Sequence, residues 1–164
     1  MSYRGKYRPT NERKYEGNIE TIEFRSLWER QVMKWCDENP DVVKWSSEEV
    51  IIPYISPVDR RQHRYFMDFK IEFQNGTVML VEVKPDYQTR MPEKKKNARR
   101  SRYLKEAQTF AVNDAKWQAA EKYAKKRGWK FAIFTEHTLS AMGITIPSYR
   151  SKYAKLKKKT TLNG

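Results

Sequence analysis

Asp68-Phe69-Lys70-Ile71-Glu72-Phe73-Gln74-Asn75-Gly76-Thr77-Val78-Met79-Leu80-Val81-Glu82-Val83-Lys84 places alternating apolar residues before an Asn-Gly pair and a mostly apolar run after it. This is the pattern of a β-hairpin, and the length of its turn decides the register. A two-residue turn at Asn75-Gly76 would put Phe69, Ile71 and Phe73 on one face with Val78, Leu80 and Glu82, mixing core with charge. A three-residue loop, Gln74-Asn75-Gly76, with Gly76 supplying a left-handed position, pairs Phe73 with Thr77, Ile71 with Met79 and Phe69 with Val81. Side chains alternate with period 2, so the packing residues then share a face. On the other face Asp68 stands opposite Glu82, with Lys84 one step further along. The register that sorts the core also brings two carboxylates and an ammonium to one end of the hairpin.

Those residue types in that order admit two readings. Glu82 and Lys84 form a surface ion pair worth roughly 0–1 kcal/mol, or the set serves phosphodiester hydrolysis. That chemistry needs a divalent cation to neutralise charge on the phosphate and to lower the pKa of a bound water. Mg²⁺ takes hard oxygen ligands, typically one or two carboxylates. Asp68 and Glu82 supply these, the Val83 carbonyl is a candidate third oxygen, and Lys84 is placed to hold the attacking water or steady the phosphate.

The chain has 164 residues, enough for one domain with a single core. Its 34 Lys and Arg against 20 Asp and Glu give a net charge of +14, and its pI is near 9.8. Such a balance draws the chain to polyanions in a salt-dependent way, and nucleic acid is the expected partner. A mean hydropathy of -0.95 and the lack of a long apolar run leave no membrane-spanning helix, and no signal peptide is expected. Cys36 stands alone, so no internal disulfide forms. Its place on an apolar helical stripe predicts a packed thiol rather than a nucleophile.

Residues 1–20 read as a basic arm, with Arg4, Lys6, Arg8, Arg13 and Lys14 interleaved with Tyr3, Tyr7 and Tyr15. Phe24, Leu27, Trp28, Val32, Trp35 and Cys36 recur at helical spacing and predict a helix that ends before Asn39-Pro40. Ser26 followed by Glu29 has the form of a capping box on it. Strands are expected over 42–45 and 49–54, with Pro53 marking an edge or an ending, and then a polar loop to Tyr65 containing His63 and Arg64. His63 reads as an exposed loop imidazole, and nothing near it has zinc-ligand spacing. Arg90 to Lys105 holds eight Lys or Arg and one Glu93. Within it Arg90, Lys94, Lys95, Lys96, Arg99 and Arg100 are candidate contacts to a DNA backbone, joined by Arg64. Helix is expected from about Asn97, with a second start at Asn113 and Gly128 at its C′ position. A buried strand over 129–135 then returns parallel in the sheet. From Pro147 a basic tail contains no acid. There are no repeats, no phosphate-cradling Gly-rich loop and no Ser-His-Asp pattern.

Asp68 followed by Glu82-x-Lys84 resembles the PD-(D/E)xK nuclease superfamily. Within it the chain is similar to the head completion nucleases of T-even-type bacteriophages, and more distantly to TnsA-type endonucleases. The resemblance extends over Tyr3 to Pro9, Arg25-Ser26-Leu27-Trp28-Glu29-Arg30, Trp45-Ser46-Ser47-Glu48-Glu49, Ile52-Pro53-Tyr54, Ser56-Pro57-Val58-Asp59, His63-Arg64-Tyr65-Phe66 and Gly128-Trp129. Met67 stands where the superfamily's name has proline, a residue that shapes the strand entry and ligates nothing. The resemblance implies an α/β, restriction-endonuclease-like mixed central sheet flanked by helices, occupying residues 21–146 between the arm and a 147–164 tail. It also implies a Mg²⁺- or Mn²⁺-dependent deoxyribonuclease that processes packaged phage DNA during head completion and head-tail joining, in the host cytoplasm or retained in the virion head or neck, beside portal or neck proteins. In such a fold Glu29 reaches the hairpin as a further ligand or water-positioning group, and Lys116 is a candidate phosphate contact. Two other functions stay open: a non-catalytic basic adaptor on the DNA end at the portal, and a structure-selective or transposon-end endonuclease.

Overall fold

The computed structural model describes residues 4–94, 96 and 99–146. Tyr3, Lys95, Asn97 and the basic tail from Pro147 lie outside them. In chain order the elements are β1 (Gly5–Lys6), β2 (Glu23–Phe24), α1 (Leu27–Glu38), β3 (Val42–Ser47), β4 (Ile51–Ile55), β5 (Gln62–Phe66), β6 (Phe69–Phe73), β7 (Val78–Val83), α2 (Arg100–Lys126), β8 (Lys130–Phe134) and α3 (Glu136–Ala141), with short 3-10 turns between some of them.

The β6–β7 hairpin takes the three-residue loop. Phe69 faces Val81 and Ile71 faces Met79, the Phe73 N–H donates to the Thr77 carbonyl at 2.8 Å, and Gly76 has φ +86°. β3 flanks β6 antiparallel and β8 flanks β7 parallel, giving a mixed sheet of order β3-β6-β7-β8. A parallel neighbour needs a long crossover, which α2 provides. This is the α/β architecture expected of a restriction-endonuclease-like fold.

Both faces of the sheet are covered. On one, Trp45, Phe69, Ile71 and Val81 pack with Val32, Met33 and Cys36 of α1 and Leu139 of α3. Burial raises the Cys36 thiol pKa, as befits a packed side chain. On the other, Leu80 packs with Trp117, Ala120 and Ala124 of α2 and with Ile52 and Tyr65. Leu80 corrects the one-sided picture of the hairpin: its outer face is itself a core, and Asp68 and Glu82 sit at that core's rim rather than on an open surface.

Two further expectations change. The polar loop before Tyr65 contains a strand, because β5 pairs with β4 over Ile51–Phe66 to Ile55–Gln62 as a separate two-stranded sheet. Only Tyr65 of its five residues is buried, so an apolar alternation was never there to read. The helix start proposed at Asn113 does not exist: α2 is continuous over 27 residues, and Asn113 is buried within it. Its C-terminus is a Schellman motif, with Gly128 at φ +71° and bonds from Gly128 N–H to Lys125 O and from Trp129 N–H to Ala124 O. Residues 4–20 lie against α1 and β3. The buried Asp37 carboxylate accepts from the Thr10 and Asn11 N–H groups at 2.8 and 2.9 Å, and Tyr15 packs edge-on to Trp45.

Candidate active site

Asp68 lies between β5 and β6, directly before the first hairpin strand, and Glu82 is the penultimate residue of β7. Asp68 Oδ2 accepts the Val83 N–H at 2.8 Å, which ties the acid to the end of the opposing strand and holds the Val83 peptide beside it. Glu82 is 7% exposed. Its Oε1 lies 3.8 Å from Lys84 Nζ, and its Oε2 accepts a hydrogen bond from the Tyr65 hydroxyl. The structure therefore brings Asp68, Glu82, Val83 and Lys84 together.

Burial raises the pKa of both acids. For Asp68 the Glu82 charge adds to desolvation, outweighing the Val83 N–H and Lys84. For Glu82 the Tyr65 hydroxyl, Lys84 and Lys116 oppose desolvation without cancelling it. Two sequestered carboxylates that disfavour one another, with the Lys84 and Lys116 charges too weak to offset their burial, form a hard-oxygen donor set short of positive charge. That set fits a divalent cation of the Mg²⁺ type, which would bind the ionised acids and relieve their repulsion.

Glu29 comes from the first turn of α1. Ser26 Oγ accepts the Glu29 N–H at 3.1 Å, the N-cap half of the expected capping box, while Glu29 Oε2 accepts the Arg25 N–H at 3.0 Å rather than that of the N-cap residue. Its carboxyl pKa is also raised, first by burial and then by the Glu48 and Glu82 charges, which sets it at the edge of the same acidic centre. Lys116, on α2, lies 5.5 and 5.7 Å from the ring centroids of Tyr65 and Tyr54, and its charge acts on Glu82. The other basic candidates are more scattered. Arg64 is exposed on β5 against the Phe66 ring at 5.4 Å. Arg90 pairs with Asp86 at 2.8 Å. Lys94, Lys96, Arg99 and Arg100 are exposed around the start of α2. His63 is an exposed strand residue bonded to Asp59 at 2.7 Å.

Three features escaped the sequence reading. Tyr65, which the sequence marks only as the end of a polar loop and part of a resembled segment, donates its hydroxyl to Glu82. Glu48, at φ +56°, donates its N–H to the Met67 and Asp68 carbonyls and pairs with Arg25 at 3.1 Å, a left-handed non-glycine residue at the rim of the acids. Asp86, Glu136 and His137 each bring a ligand atom within 4.8 Å of the others. Their 50-residue separation is closed only by the parallel β7–β8 pairing, so no local spacing announces them. No described helix is long and apolar enough to cross a membrane.

Residues 39–136 match the family model of the TnsA-like endonuclease N-terminal domain. The chain is also 40% identical over 146 residues to the head completion nuclease of Enterobacteria phage T4, covering 87% of this chain and 97% of the relative. No solved structure matches it.

Proposed function

The chain belongs to the TnsA-like endonuclease family and is of the nuclease kind, and from that premise we propose that it is a metal-dependent deoxyribonuclease that trims or processes packaged DNA as a phage head is completed and joined to a tail. The observation that carries the reading is the buried, mutually repelling Asp68–Glu82 pair beside Lys84 at one end of the hairpin. A pure DNA binder gains nothing from two buried acids next to the phosphates. Bound between Asp68, Glu82 and the Val83 carbonyl, a Mg²⁺ or Mn²⁺ ion would supply Lewis-acid stabilisation and a more acidic water. Lys84 holds the attacking water or the developing phosphate charge, Glu29 assists in positioning, and Lys116 offers a phosphate contact. No side-chain nucleophile is placed among these residues, so the attack is by water, in line with the departing strand. The relative's name is the source of the head-completion context, with portal or neck proteins as neighbours in the assembling virion.

Linear and supercoiled DNA incubated with Mg²⁺, Mn²⁺ or EDTA tests the reading. Cleavage with metal, none with EDTA, and a loss of at least about a hundredfold in Glu82→Ala and Lys84→Ala with DNA binding retained is the expected result. Wild-type protein that binds DNA but cuts with neither metal would replace the enzyme with the basic adaptor.

A further inference from the structure

The segment following Lys84 folds over the first half of α2 and leaves a groove of about 450 Å³ whose lining includes Tyr87, Arg102, Lys105, Thr109, Phe110 and Asn113. Asn113, 8% exposed, contributes its amide to the lining. Tyr87 is 70% exposed, an aromatic face at the mouth with little packed on it. Phe110 forms part of the wall and is itself held by Trp117, with ring centroids 6.3 Å apart. Lys105 meets no acid among the described residues, whereas Arg102 is shared with Glu106 at 3.0 Å.

An aromatic face, an amide that offers both donor and acceptor, and a cationic rim together match one chemical class. A nucleobase stacks on aromatic rings and offers a donor-acceptor edge, and its phosphate seeks the cations. Stacked, paired bases expose neither face nor pairing edge, so the base must be unpaired. The groove is placed for a strand engaged at the acids: Asn113 lies one helical turn from Lys116 and Trp117 on the same face of α2, and Tyr87 follows Lys84 by three residues. We propose that this groove binds one unpaired nucleotide of the DNA strand next to the phosphodiester at Asp68 and Glu82, giving the protein a preference for frayed or single-stranded ends. The proposal rests on the nuclease reading above for its location.

Binding is measured without catalysis, in EDTA, with a fluorescently labelled blunt duplex and with the same duplex carrying a short unpaired end. Wild type should bind the unpaired end about tenfold more tightly, the scale of one base-aromatic stack. Tyr87→Ala, at an exposed position where folding is not at stake, and Asn113→Ala should each reduce that preference. A 2-aminopurine in the unpaired end should change its fluorescence on binding to wild type and less so with Tyr87→Ala. Equal affinity for the two DNAs, or a preference untouched by both substitutions, overturns the groove. Cleavage of both DNAs, followed separately with Mg²⁺ or Mn²⁺, keeps the two claims distinct: cutting without end preference removes the groove and leaves the nuclease, and preference without cutting does the reverse.

Discussion

Tyr65 donates to one Glu82 oxygen while Lys84 stands near the other, so the rotamer of this carboxylate is set by its neighbours before any ion arrives. Groups that orient a ligand typically change metal affinity or activity by about 10–100-fold when removed. Tyr65→Phe keeps the buried ring and deletes only the hydroxyl; Mn²⁺ affinity by calorimetry should fall within that range while the thermal transition stays cooperative, and unchanged affinity would show that Glu82 needs no such support. Asp68 makes a different statement. Its pKa is raised in the folded chain, so the folded state holds a proton that the unfolded state releases earlier. Its contribution to stability is present in full below the ordinary carboxylate range and is lost as pH rises through that range toward the folded value, leaving a cost at neutral pH when no metal is bound. Asp68→Asn retains an oxygen for the Val83 N–H and removes the cost. In EDTA at neutral pH it should melt higher than wild type, by roughly 2–4 °C for each kcal/mol relieved, with the difference shrinking in mild acid. A lower melting temperature at neutral pH would mean that Asp68 is satisfied as it stands.

At the level of elements, the β6–β7 hairpin is where sequence and structure agree most closely, because turn length, glycine placement and side-chain alternation all constrain one register. Gly76→Ala tests that agreement. The φ of +86° disfavours any side chain, while nothing lies within 4 Å of a Cβ built there. The expected loss of about 1–2 kcal/mol in denaturant unfolding is therefore backbone strain alone, and no loss would mean that the turn relaxes to another type. α1, β8 and the Gly128 cap were also legible, each having a clear period or a stop signal. β5 was not, since a strand in a two-stranded sheet with one buried residue leaves no alternation, and its pairing to β4 is a tertiary fact. The continuity of α2 was hidden by the basic first turns, whose exposed charges break the apolar stripe. For the same reason the acidic pair could be read from the hairpin, but the Tyr65 bond to Glu82 and the place of Glu48 beside Asp68 could not, because they reach the acids from other elements.

Over the whole molecule, a fold with +14 net charge surrounds a small, buried negative centre. On the proposed function the surface draws in the polyanion and the buried acids hold a cation where a phosphate comes close, a division of labour that suits hydrolysis better than binding alone. α1 and α2 clamp opposite faces of the sheet, so the hairpin end is fixed by both cores, and residues 4–20 reinforce α1 through Asp37. The rival cation position is the Asp86–Glu136–His137 group, where Asp86 is already bonded to Arg90 and Glu136 accepts the Asp86 N–H. The decisive measurement is a Mn²⁺ titration of DNA-free protein by calorimetry, comparing wild type with Glu82→Ala and Glu136→Gln. Binding that vanishes in Glu82→Ala and persists in Glu136→Gln is the predicted result; wild-type binding that survives Glu82→Ala would place the metal elsewhere and contradict the account.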